Sequence, residues 1–225
     1  MKNKKYTFDK FADLKAYMGN RDFNRPNEFG EDGVDHINVS ISSKTQVGRF
    51  LDPSHNYMFE YPLIGPFSSV MALECWIKAD GKYDEIRFMP YRTIARELKD
   101  VRKKKLDNYR AVVLLATYLK VKKNDDIVKQ IKKLPKNVAV ISYTVHKESG
   151  LRIMTNFAPN VLGMITEVVR AIQEDREPNY KKFLNRKNKN ALPENGFLEN
   201  TPIFKSLPST KSTEVTEEKK EMPVG

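Results

Sequence analysis

The stretch NVAVISYTV, residues 137–145, constrains the fold more than any other. It is rich in β-branched residues and lacks the regular polar alternation of a strand wetted on one side, so it predicts a strand buried on both faces. Such a strand needs cover above and below, and the sequence before and after it supplies helices. RTIARELKDVRKKK, NYRAVVLLATYLKVKK and NDDIVKQIKKLP each carry a helical pattern. The third has Asn124 as N-cap, two aspartates in its first turn and Pro135 as its stop. After the strand, the polar turn HKESG leads to LRIMTNF, a candidate pairing strand. APNVLGMITEVVRAIQED then closes the domain as an amphipathic helix, with Val161, Ile165, Val168, Val169 and Ile172 in one stripe. PNYKKFLNR suggests a last short helix.

The first third of the chain is less regular. Phe8, Phe11, Leu14 and Tyr17 recur at helical spacing and predict a short leading helix, followed by a polar loop. HINVSISSK alternates Ile37, Val39 and Ile41 against Asn38, Ser40 and Ser42, which predicts a half-buried strand. The Pro-punctuated LDPSHNYMFEYPLIGP is too irregular for one element, and loops of this kind often carry function. Residues 65–87 then read as a helix that is apolar almost all round. From about residue 187 Pro, Ser, Thr, Lys and Glu dominate, and the composition predicts a mostly disordered tail. The expected fold class is therefore α+β: a mainly helical single domain around a small β-sheet. Its expected parts are an N-terminal helix and loop over 1–34, a domain over 35–186 and the tail over 187–225.

Charge is unevenly distributed. Residues 92–136 carry 15 Lys and Arg against 5 Asp and Glu, nearly all of the chain's net charge of +11. A patch of this kind concentrates phosphate-bearing partners, so nucleic acid bound through 92–136 is a candidate partner. A solvated lysine-rich helical face accounts for the same composition. No apolar run approaches the roughly 20 residues of a membrane-spanning helix. With one cysteine, no apolar leader and no disulfide within the chain, the expectation is a cytoplasmic protein.

Several chemistries lack their motifs. There is no glycine-rich dinucleotide or P-loop pattern, no nucleophile elbow and no HExxH, so no cofactor is implied. His36, His55 and His146 stand apart without a second ligand at metal spacing, and no metal site is expected. Cys75 lies among apolar neighbours and reads as a buried, inert thiol.

One carboxylate stands out. On a helix, Phe67, Val70, Met71, Glu74 and Ile77 share a face, so Glu74 interrupts an apolar stripe. A carboxylate there must find a partner, for which Arg87 and Arg49 are candidates, or serve as an acid or base.

The order of these elements resembles the NADAR (YbiA-like) family of N-glycosidases. In that family a strand leads through a Gly and a Ser-Asn-Phe turn to a helix of the form Tyr-Pro-x-Val-Glu-His-x-x-Gln-Ala-x-Lys. The corresponding pieces here are INVSISSKTQVGRFLDP and SSVMALECWIK. The family's closing helix opens Asn-x-Leu-Gly and runs to an Arg, matched by Asn160, Leu162, Gly163 and Arg170. The likeness covers about residues 35–175 and has the flavour of lysine-rich proteins carried by large tailed phages. It departs from the family at three places. Met71 occupies the position of the helix Glu, Leu51-Asp52-Pro53 replaces the Ser-Asn-Phe turn, and no Trp-Gly precedes the closing helix.

The resemblance implies a YbiA-like fold and action on an ADP-ribosyl or ribose-phosphate N-glycoside, such as ADP-ribosylated guanine in nucleic acid. Glu74, one turn beyond Met71, would then be the acid/base, by analogy with the carboxylates of glycoside hydrolysis. Lys78, which keeps the family's Lys position, would meet phosphate together with Arg87 and Arg49. Asn160 and Gly163 would lie where the closing helix begins and its N–H groups favour an anion. The alternative is a domain that binds nucleotide, nucleic acid or a host factor without catalysis.

Overall fold

The computed structural model describes residues 31–97, 108–136, 138–145, 152–154, 159–184 and 192–198. The leading helix expected before residue 31, the whole HKESG turn with His146, the segment 98–107 with much of the basic charge, and the tail beyond 198 lie outside them.

The helices in chain order are α1 (Gln46–Leu51), α2 (Val70–Lys78), α3 (Tyr91–Glu97), α4 (Tyr109–Lys122), α5 (Asp125–Lys133) and α6 (Pro159–Gln173). The strands are β1 (His36–Asn38), β2 (Phe59–Tyr61), β3 (Gly65–Phe67), β4 (Ala139–Ile141), β5 (Tyr143–Val145) and β6 (Arg152–Met154). Helix α4 is the axis of the molecule. Ala111 through Tyr118 are all buried, and a helix apolar on every side needs neighbours on every side. It packs against α6, β2, α2, α5 and α1. The chain is thus a mixed structure, mostly helix with a little sheet, and a helix occupies its centre.

The strands form three two-stranded ladders: β1 with β4 in parallel, β2 with β3 and β5 with β6 antiparallel. The buried strand expected over 137–145 breaks at Ser142 into β4 and β5. The Ser142 hydroxyl donates to Val39 O at 2.7 Å, while the Asn38 amide accepts from Tyr143 N–H and donates to Tyr143 O. The side chain of Asn38 thereby extends the β1 ladder past its last residue. Residues 139–143 are buried, but Thr144 and Val145 are exposed, so only the first half of the stretch has two covered faces.

Strand β1 is shorter than the alternation in HINVSISSK predicts. The buried Asp32 carboxylate takes the Asn38 N–H, the Ser43 hydroxyl and the Lys44 N–H, and Ser42 bonds back to Ser40. These local bonds compete with the ladder and turn the chain, leaving Ile41 56% exposed where alternation puts it inside. The turn delivers the chain into α1, an element the sequence reading passed over, capped by Thr45 accepting from Gly48 N–H. Gly48 has no substitute here, because a Cβ would lie 2.3 Å from Asn38 O.

The long helix expected over 65–87 resolves into pieces. Residues Gly65–Phe67 pair with β2, Ser69 caps α2 by accepting from Ala72 N–H, and α2 ends where Asp80 and Gly81 take positive φ. A 3₁₀ turn, Asp84–Phe88, follows. The helices α5 and α6 match expectation. Asn124 caps α5 by accepting from Ile127 N–H, and all five stripe residues of α6 are buried. Where the sequence reading put a short helix in PNYKKFLNR, the described residues form a 3₁₀ turn, Tyr180–Lys182.

The expected tail over 187–225 contains a segment that belongs to the core. Phe197 and Leu198 are buried, Gly196 O accepts from the Tyr61 hydroxyl at 2.8 Å, and Phe197 O accepts from the Asn108 amide. The Phe197 ring packs on Tyr180, with centroids 5.2 Å apart. Burying two such side chains contributes about 2–3 kcal/mol each, enough to hold a short segment of otherwise polar chain.

Candidate functional site

Helix α2 presents Glu74 to the first turn of α4. One carboxylate oxygen forms an ion pair with Lys78 on the next turn, and the other accepts from the Tyr109 hydroxyl at 3.3 Å. The Lys78 ammonium lies 5.1 Å from the centre of the Tyr109 ring. The Glu74 side chain is 13% exposed and that of Lys78 26%. Burial first, then the charge of Glu74 and its hydrogen bond, raises the Tyr109 phenol well above its ordinary pKa. The carboxylate that interrupts the apolar stripe is therefore matched by a cation and a hydroxyl. The partner is Lys78, in place of Arg87 or Arg49.

Arg87 is engaged elsewhere. Its guanidinium donates to Pro66 O, Ile64 O and the Asp84 carboxylate, and lies over Phe67 at 4.8 Å and Trp76 at 5.7 Å. It fastens the 3₁₀ turn to β3 and to α2. Arg49 of α1 donates to Ser43 O and Lys44 O. Asn160 and Gly163 belong to the start of α6, whose contacts run to α4, α5 and β4, and a Cβ on Gly163 would meet nothing within 4 Å. Of the six candidate residues, the structure brings Glu74 and Lys78 into contact. Among the described residues no hydrogen bond or ion pair joins Arg49 or Arg87 to them.

A second group gathers at the start of α2. The Met71 N–H donates to Pro53 O at 2.9 Å, which ties the turn after α1 to the helix. In that turn the buried Asp52 carboxylate accepts from the Ser54 N–H and hydroxyl. Lys120 of α4 is 0% exposed, and its ammonium donates to Asp52 O at 3.0 Å and lies 5.1 Å from the Phe50 ring. Burial pushes the Lys120 amine down to about 7, with Asp52 opposing the shift. The His55 ring sits 5.3 Å from Phe50, and its pKa is lowered by burial and then by Lys120. Sequence reasoning missed Lys120. The signal that singled out Glu74, a charge within an apolar helix, was also present in RAVVLLATYLKVK.

Cys75 is partly exposed, and among the described residues no group of three or more His, Cys, Asp or Glu could hold a metal ion. Among them also, no helix is long and apolar enough to cross a membrane. In comparisons with known proteins the chain matches no family model, no curated protein and no solved structure.

Proposed function

We propose that this protein is a NADAR-like domain, YbiA-like in fold, whose ligand is an ADP-ribosyl or ribose-phosphate N-glycoside held where the turn after α1 meets the start of α2. The observation that supports this reading is the Met71 N–H to Pro53 O hydrogen bond. It closes the two segments that carry the family likeness onto each other, with Lys120 and His55 beside them. In the hydrolytic form of the reading, Glu74 is the carboxylate that activates water or stabilises an oxocarbenium-like transition state. Lys78, paired with Glu74, is then the cation on the same helix for the ligand's phosphate.

A second, non-catalytic form is favoured by the bonds Glu74 makes. Its carboxylate is engaged by Lys78 and Tyr109, and Arg49 and Arg87 direct donors to main-chain carbonyls. Here the domain binds the same ligand without cleaving it.

Mass spectrometry of ADP-ribosylated guanine in DNA, ADP-ribosylated nucleosides and NAD after incubation with the protein separates the two forms. Release of free base by the wild type and not by Glu74→Gln establishes hydrolysis. Ligand binding by calorimetry without release establishes the non-catalytic form. Neither release nor binding of any of these ligands rejects the reading.

A further inference from the structure

Helix α5 carries an outer face whose chemistry the α2 site does not use. Ile127 and Ile131 are fully buried on its inner side, while Lys129, Lys132 and Lys133 stand exposed on the other. Lys136 follows just past the helix end, and Lys122 and Lys123 are exposed at the end of α4, where the chain turns into α5. The helix is held firmly by its Asn124 cap and by packing on α6, α1 and α4, so its lysines project from a fixed ridge.

Acidic residues are kept to the margin. Asp125 and Asp126 occupy the first turn, where they complement the helix dipole, and Asp126 reaches Lys129 only at 3.9 Å. Asp175 pairs with Lys132 at 2.8 Å. Among the described residues no carboxylate pairs with Lys122, Lys123, Lys133 or Lys136. The ridge borders a cleft of about 190 Å³ between α4, α5 and α6, which Lys122 and Lys132 line together with Asp175 and Glu177, and where Arg176 is paired with Glu167 and Glu174, so the excess positive charge lies on the ridge itself.

From this surface we infer that the outer face of α5, with the lysines at the end of α4, docks on the phosphate backbone of duplex DNA without reading sequence. Three features select this partner. Single-strand binders stack bases on exposed aromatic rings, whereas the aromatic residues beside this face are tied to the protein: Tyr118 is buried with its hydroxyl on Glu177, and the half-buried Tyr57 donates its hydroxyl to Lys123 O. A membrane-surface helix offers a large apolar side to lipid, whereas α5 turns its isoleucines to the core. A helix of nine residues is about 13 Å long, comparable with the roughly 12 Å major groove, so its lysines can reach phosphates on both lips.

The inference rests on nothing at the α2 site, and its test is independent of glycosidase activity. Fluorescence anisotropy of the full chain with a short duplex of arbitrary sequence, titrated at several salt concentrations, reads it directly. With four lysine–phosphate contacts the affinity should fall on the order of 100-fold between about 50 and 200 mM salt. K129Q/K132Q/K133Q/K136Q should flatten the slope of log K against log salt by about 3.6. The four-arginine counterpart should retain it, which separates charge from folding. K181Q/K182Q, exposed elsewhere, should behave as wild type. No duplex binding at the lowest salt, an unchanged slope in the glutamine variant, or equal affinity for single-stranded DNA or polyglutamate overturns the assignment.

Discussion

The Tyr109 hydroxyl reaches from the first turn of α4 to the Glu74 carboxylate on α2, so the two helices share a partly buried polar contact. The same carboxylate is held by Lys78. This arrangement satisfies the charge that the sequence places on an apolar stripe, and it fixes where α2 lies against the central helix.

A double-mutant cycle on Tyr109→Phe and Glu74→Gln measures that contact. Each single change should destabilise by about 1 kcal/mol, and the coupling between them should be about 0.5–1.5 kcal/mol. Additive effects in urea unfolding would show that the hydroxyl and the carboxylate do not interact in solution.

Lys120 gives stability a definite pH dependence. Its amine titrates near 7 in the folded protein and near 10.4 in the unfolded chain, so between these values the unfolded state binds the extra proton. Stability should therefore rise as pH increases from about 7 towards 10. Above pH 10 the opposite sign takes over, because Tyr109, Tyr118 and Tyr180 all have raised pKa values and the unfolded chain loses those protons first. The melting temperature should peak between about pH 9 and 10. Lys120→Met should weaken the rise and stabilise the protein near pH 7, and a rise of equal size in that variant would remove Lys120 as its source.

Phe197 should behave as a core residue. Phe197→Ala is expected to cost about 3 kcal/mol, and Tyr61→Phe, which removes the hydrogen bond to Gly196 O, about 1 kcal/mol. A chain truncated after residue 190 should lose at least as much as Phe197→Ala. Thermal unfolding of the three variants checks the order, and a truncation that leaves the melting temperature unchanged would contradict the docked position of this segment.

Strong local signals were legible in the sequence. The Asn124 cap, the stop at Pro135 and the stripe of α6 each depend on residues within a few positions of one another, and they appear in the structure as expected. What was lost depended on distant partners. The end of β1 is decided by Asp32 and the Ser40–Ser42 bonds, and the strand at Gly65 by its pairing with Tyr61. Phe197 looked isolated because its neighbours, Tyr180 among them, come from other parts of the chain. Within the candidate site, the reading offered Arg87 and Arg49 as partners of Glu74, whereas Lys78, four residues on along the same helix, holds it. Nothing local to Arg87 indicated that its donors would be taken by Ile64 O and Pro66 O. Lys120 was readable in principle, as a charge embedded in an apolar helix.

The bond between Asn38 and Tyr143 joins residues 105 positions apart, and β1 has its ladder partner in β4. During synthesis the first strand therefore leaves the ribosome long before anything can complete it. Until residues 139–145 emerge, its main-chain groups and the Asn38 amide face water or another chain. The helices between can form from local contacts in the meantime, so the parallel pairing is a late and slow event. A nascent chain halted before β4 would present an open strand edge, the feature through which incomplete domains join one another.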